Sequence, residues 1–404
     1  MKSNNVFGDK TDVDENLRRL LKDAVQGLVL AQYNLAVSYE NGTGVKIDEE
    51  QAVYWHRKAA DQGYANAQNS LAICYENGTG VTKNLEQAFY WYRKAAEQGD
   101  ASAKYNLANC YMNGIGVNID VNRAIELYRK AAEQGLVLAQ YNLGVCYENG
   151  MGFKKDEEQA VYWYRKAADQ GYANAQNGLA ICYDFGKGIK KDEEQAVYWY
   201  RKAAEQGYAI AQDSLAICYL VGTGVKIDLE QAVYWSRKAA EQGFAKAQNN
   251  LAICYLNGTG VKIDFEQAVQ WFRKAAEQGD VVGQNALGKC YFAGKGIAKD
   301  LKKAFEWFTK SAEQGDAYGE NCLGECYHDG IGIPKDLKKA YEWYAKSAEK
   351  GNANGQYNLG VCYEQGIGIA KDMKKAFEWY TKSAEQGHSF AQYIIRMAKE
   401  SPRI

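Results

Sequence analysis

Apolar positions recur along this chain with helical spacing, interrupted at regular points by glycine. In residues 28–63, Ala31, Leu35, Ser38 and Tyr39 fall at i, i+4, i+7 and i+8, the stripe of an amphipathic helix. Ala52, Trp55, His56, Ala59 and Ala60 repeat that stripe in the second half of the segment. Between them lies Asn41-Gly-Thr-Gly44, and Asp48 then opens the second helix as its N-cap. Gln51, three residues on, has the place and chemistry to complete a capping box. Gly42 closes the first helix and Gly63 the second, where left-handed backbone is needed. The pattern predicts a helix–turn–helix pair.

The pair returns at a fixed interval of 36 residues, marked by Gly27, Gly63, Gly99 and so on to Gly387, without an insertion. A unit of this size cannot bury its own apolar stripe, so neighbouring copies must stack to form a core. The Ala52 position is always Ala and the Leu35 position always Leu in full repeats, which lets helices approach closely. All nine tryptophans occupy the Trp55 position, where only Leu127 departs, and are expected to fill the space between layers as core. The expected fold is an all-α solenoid. Residues 1–11 are expected to be disordered and 12–27 to form an N-terminal capping half-repeat. Ten full repeats follow over 28–387, then a capping helix over 388–400 and a tail over 401–404. Leu17 and Leu20 keep the apolar stripe of the first cap while Arg18, Arg19 and Lys22 face water. In the last cap Ile395 takes the leucine place, and Arg396 and Lys399 stand where another repeat would have packed.

Composition narrows the function. Formal net charge is −1, which offers no general footing for nucleic acid or an acidic membrane surface. No apolar stretch approaches the roughly 18 residues of a membrane span, so direct membrane insertion is not expected. The opening residues lack the apolar core of a secretory signal. Nine of the ten cysteines (Cys74, Cys110, Cys146, Cys182, Cys218, Cys254, Cys290, Cys326 and Cys362) hold one repeat position. Equivalent residues one packed layer apart are too distant for a disulfide. These thiols read as small buried apolar groups, and a reducing, cytoplasmic home is expected.

The pattern A-x-x-x-L-[AG]-x-x-Y-x-x-G-x-G-[VI]-x-x-[DN]-x-x-x-A-x-x-W-x-x-K-A-A-x-x-G resembles the Sel-1-like repeat family, a relative of the tetratricopeptide repeat, over residues 12 to about 400. The third repeat departs most, with Leu127 for Trp and Arg123 for Gln, and the first has Ser38 for Cys. The resemblance implies a right-handed α-solenoid, or superhelix, acting as a non-enzymatic adaptor or scaffold for protein complexes. It also implies an alternative, a dedicated regulatory subunit of a membrane-bound enzyme, such as a chitin synthase activator or a degradation-complex adaptor. A cysteine-rich branch of the family, with two disulfide-paired cysteines per repeat, is linked to penicillin binding. This chain lacks that spacing, and the activity is not carried over.

Other chemistry finds little support in the residues. The Gly-x-Gly stretches lie between helices and lack the strand, third glycine or Gly-Lys-Ser/Thr of a phosphate loop. His56, His328 and His388 are scattered. Cys322, Cys326 and His328 come nearest to a ligand set, but Cys326 is the repeat-position thiol and a fourth ligand is missing. No nucleophile, base and orienter assemble, which disfavours the third reading, a hydrolase. Asn41, Asn77 and Asn257 head glycosylation sequons that are expected to serve as turns. No cofactor, metal or catalytic residue is expected.

Differences between repeats point to partner choice. The first helix usually ends Glu-Asn, as in Glu40-Asn41. In repeats five to eight it ends Asp184-Phe185, Leu220-Val221, Leu256-Asn257 and Phe292-Ala293. Phe185, Leu220, Val221, Leu256 and Phe292 are therefore the candidate partner-binding residues, on the expectation that equivalent positions stack into an apolar ridge. Packing beneath the following loop is the alternative. The last three repeats also begin their second helix with Lys-Lys, at Lys302, Lys338 and Lys374, either a basic stripe or the mark of a second duplication lineage. The expected partner is a protein or extended peptide held by a monomer.

Overall fold

A computed structural model describes residues 10–400. Among these residues there are 22 helices and no strands, from Lys10–Val25 to Ser389–Glu400. The expected residues 401–404, and all of 1–11 except Lys10 and Thr11, lie outside the described residues; those two already belong to the first helix. The chain divides into two compact units, ending at Trp199 and beginning at Tyr200. In each unit consecutive helices pack against one another.

Repeat 1 shows the construction. Its helix A runs Val29–Asn41 and its helix B runs Glu49–Asp61. Gly42 takes φ 71° and returns its N–H to Ser38 O, closing helix A. Asp48 accepts from Gln51 N at 3.0 Å, so the N-cap expected from sequence is formed. The capping box is not. Its reciprocal bond would use the Asp48 N–H, which instead donates to Tyr39 O at 3.1 Å. The link between helices is so short that the end of helix A reaches the cap first. Asn84 does the same to Tyr75 O and Asp372 to Tyr363 O, both at 2.9 Å. The N3 side chain is thereby released from capping, and lysine replaces glutamine there at Lys303, Lys339 and Lys375. Each lysine lies within 4 Å of its own N-cap carboxylate.

Leucines at the Leu35 position form the centre of each layer: Leu35, Leu71, Leu143, Leu251 and Leu323 are all at most 1% exposed. Alanines such as Ala52 and Ala59 close the gap between helices. The tryptophans are less central than expected. Trp55 and Trp163 are buried, whereas Trp91, Trp271, Trp307, Trp343 and Trp379 are half-buried at the edge of the core. There the last four are covered by lysines: the Lys274 ammonium, for one, sits 3.8 Å from the Trp271 ring centre. The fully buried aromatic place belongs to the residue after tryptophan, as at Tyr92, Tyr164 and Tyr380.

Polar ladders repeat beside this core. Gln68 donates to Ala60 O in the preceding helix at 3.1 Å and accepts from Gln98 at 2.7 Å. Gln248 and Gln278, and Gln356 and Gln386, form the same pair. In repeat 9 the pair becomes Glu320 and Lys350, 2.6 Å apart. On another face Arg57 reaches Tyr75 of the next repeat, and Arg165 reaches Tyr183.

The loop between helices A and B also rests on the previous repeat. Gly80 has φ +64°, and a Cβ on it would stand 2.1 Å from Glu49 O. No other residue allows that approach.

Candidate interaction surface

The carboxylate at the end of helix A has a partner that sequence reading did not anticipate. Helix B folds back so that its buried aromatic residue, sixteen positions later, meets it. Tyr92 donates to Glu76 at 2.5 Å, Tyr164 to Glu148 at 2.6 Å and Tyr380 to Glu364 at 2.8 Å. In repeat 1 His56 takes the tyrosine place, 2.9 Å from Glu40. Burial, then the hydrogen bond to the carboxylate, pushes the phenol proton affinity of Tyr164 far up, so it remains a donor.

This pair explains three of the apolar substitutions. Where glutamate becomes Leu220, Leu256 or Phe292, the residue sixteen on is Ser236, Phe272 or Phe308. The phenol and its acceptor are lost together, leaving neither stranded in the core. The signal lay in the sequence of repeats 6–8 as a paired change at a separation of sixteen; in repeat 3, where Met112 replaces the glutamate, Tyr128 is kept and donates to Asn109 instead.

The five candidate residues are placed as follows. Phe185, in the N-terminal unit, is 68% exposed, with the Lys187 ammonium 5.7 Å from its ring centre. In the C-terminal unit Val221 is 61%, Phe292 43% and Leu220 39% exposed, so these three do not lie beneath the following loop. Leu256 is half-buried and packs against the core. It forms part of the wall of a cavity of about 480 Å³ shared by repeats 7, 8 and 9. Phe272 and Ile253 line the same cavity, as do Val282, Asn285, Lys289 and Lys295.

The remaining sequence candidates are dispersed. Cys322 and Cys326 are buried, and burial raises both thiols to about 12. His328 turns to Asp329 at 2.7 Å. Among the described residues no three His, Cys, Asp or Glu side chains gather as a metal site. Lys302, Lys338 and Lys374 are exposed at the start of helix B, while the lysine beside each is taken up by the N-cap carboxylate. No helix among the described residues is long and apolar enough to cross a membrane.

Stacked helix pairs, each completing its neighbour's core, with exposed apolar side chains at the helix ends, define an α-solenoid repeat protein. The Sel1 repeat matches ten times in succession, over residues 29–64, 65–100, 101–136, 137–172, 173–208, 209–244, 245–280, 281–316, 318–352 and 353–388. The chain belongs to the Sel1 repeat family. A protective antigen of uropathogenic Escherichia coli strains, displaying an SLR fold, is similar at 36% identity and a TM-score of 0.82, over 97% of this chain and 84% of that one. A Sel1 repeat protein from Oxalobacter formigenes is similar at 31% identity and a TM-score of 0.61, over 80% of this chain and 97% of the other. No curated protein matches the chain.

Proposed function

We propose that this chain is a non-enzymatic scaffold, acting as a monomer in the cytoplasm, that holds a protein or extended peptide against the helix-A ends of repeats 6–8. The observation that carries the reading is the exposure of Leu220, Val221 and Phe292 in the C-terminal unit, where most repeats carry a carboxylate or an asparagine. Apolar groups left in water within one unit favour a partner that covers them. Support for a binding rather than catalytic role comes from the thiols and phenols, whose burial makes them less reactive as nucleophiles. Cys74 rises to about 11 and Cys110 to about 12.

The test is co-purification from the native cell with wild type and with Leu220→Glu/Phe292→Glu. The paired variant should lose its partner while keeping the circular dichroism and thermal midpoint of wild type. A partner retained in full would overturn the proposed surface. A single stoichiometric enzyme among the captured proteins would favour the regulatory-subunit role; several unrelated clients would favour a general scaffold.

A further inference from the structure

We infer that the cavity of repeats 7–9 is an anchor site for an extended peptide segment bearing one aliphatic or aromatic side chain flanked by carboxylates. The inference rests on the scaffold reading and narrows it to one site and one chemistry.

The floor is apolar because of the paired change described above. Leu256 and Phe272 stand where repeat 4 has Glu148 and Tyr164, so a hydrogen-bonded polar pair is replaced by hydrocarbon. Ile253 and Val282 extend that surface. A volume of about 480 Å³ falls within the roughly 300–1,000 Å³ typical of ligand pockets.

One residue of the wall, Asn285, is fixed by a buried polar network. Asn285 is 7% exposed, and its Nδ2 donates to Asp316 Oδ2 at 2.8 Å. That carboxylate also accepts from Gly319 N at 2.7 Å and from Ser311 Oγ at 3.2 Å. Asp316 can only accept, which fixes the orientation of the amide. Asn285 Oδ1 is left buried with no donor. Asn177 and Asn249 share this state at equivalent positions, and Asn285 is the one that lines this cavity.

Charge sets the flanks. Lys289 stands where most other repeats carry Val or Ile, such as Ile253 or Val361, and Lys295 where all others but Lys187 carry Thr or an apolar residue, such as Thr259 or Ile331. Both ammonium groups lie over rings, Lys289 4.4 Å from the Tyr318 centre and Lys295 4.3 Å from the Phe265 centre. The one carboxylate lining the cavity, Asp316, is occupied by its three donors. Two cations beside an apolar floor complement an acidic peptide with an apolar centre.

The experiment measures fluorescence anisotropy of labelled nonapeptides with the full chain. The probe is Gly-Ser-Asp-Asp-Leu-Asp-Asp-Ser-Gly. Controls carry Ala for Leu, or Lys for Asp. The probe should bind, and the Ala and Lys controls should bind about tenfold or more weakly, as expected for losing one buried side chain or the charge match. Leu256→Glu/Phe272→Tyr rebuilds the pair of repeat 4 and should abolish binding. Lys289→Ile/Lys295→Thr uses residues from other repeats and should weaken binding at least tenfold and flatten its salt dependence. If the first variant fails to fold, the second carries the test.

The inference is overturned if wild type does not bind the probe at about 1 mM, a limit near 4 kcal/mol of affinity. It is also overturned if the controls bind equally, or if the variants act only on self-association in sedimentation, which would make a second copy the occupant. The scaffold reading fails separately, if no partner co-purifies with wild type. It survives loss of this site if a partner is captured undiminished by Leu256→Glu/Phe272→Tyr.

Discussion

Tyr164 donates its phenolic proton to Glu148 across 2.6 Å, joining the buried face of helix B to the last turn of helix A. The hydroxyl belongs to a nearly fully buried side chain, while the carboxylate reaches toward solvent and lies 4.0 Å from Lys187. Glu148→Leu should therefore destabilise repeat 4 by about 1–3 kcal/mol, because it strands the phenol. Tyr164→Phe should cost less, about 1 kcal/mol, since Glu148 keeps access to water and to Lys187. The double variant Glu148→Leu/Tyr164→Phe copies Leu256 and Phe272 and should recover most of the loss. Amide exchange within repeat 4 checks this better than one global midpoint, because repeat arrays can unfold in parts.

Glu320 and Lys350 replace a glutamine pair with charges, at a separation of 2.6 Å. Glu320 is buried, and Lys350 also donates to Gly315 O at 2.8 Å. Lys350→Ala should destabilise the C-terminal unit by about 1–3 kcal/mol, because a buried carboxylate loses its donor. Glu320→Gln/Lys350→Gln should fall within about 1 kcal/mol of wild type, since it restores the Gln284–Gln314 arrangement. Urea titration of the two variants measures the difference.

Two glycines in left-handed backbone should respond unequally to alanine. At Gly63 a Cβ meets nothing within 4 Å, so Gly63→Ala should cost only the backbone preference, about 1–2 kcal/mol. At Gly80 the Cβ would stand 2.1 Å from Glu49 O, and the loop must lift away from the preceding helix. Gly80→Ala should cost about 1–3 kcal/mol beyond Gly63→Ala. Thermal midpoints of the two variants decide it.

All ten cysteines are buried, and burial raises Cys110, Cys182 and Cys362 to about 12 from an ordinary 9.0. The folded thiols keep protons that the unfolded chain gives up. Their contribution to stability is complete below about pH 9 and is lost as pH rises from 9 toward 12. The chain should therefore lose denaturant resistance above pH 9 in step with thiol ionisation, seen by ultraviolet absorbance at 240 nm. A thiol reagent at pH 8 should titrate close to none of the ten in the native chain and all ten after unfolding. Rapid native labelling of even one repeat-position thiol would refute its burial.

Much of the architecture was legible because the constraints are local and repeated ten times. Leu35, Ala52, Gly42 and Asp48 each do one job within a few residues of their neighbours, and the period exposes the job by repetition. The capping box failed for a reason no local pattern holds: the Asp48 N–H finds Tyr39 O before it finds Gln51. The tryptophans misled in a related way, since large apolar size does not say whether a side chain sits at the centre or the edge of a layer.

By itself, then, the sequence determined the helix pairs, their period and which positions are dry, because backbone propensity and apolar spacing act over short distances. Only the tertiary structure decided that Leu256 answers to Phe272, that Asn285 holds an unpaired acceptor beside Lys289 and Lys295, and that Leu220, Val221 and Phe292 remain in water. Those facts depend on which surfaces meet after the helices stack, and a residue's neighbours across a packed layer lie 16, 30 or 37 positions away in the chain.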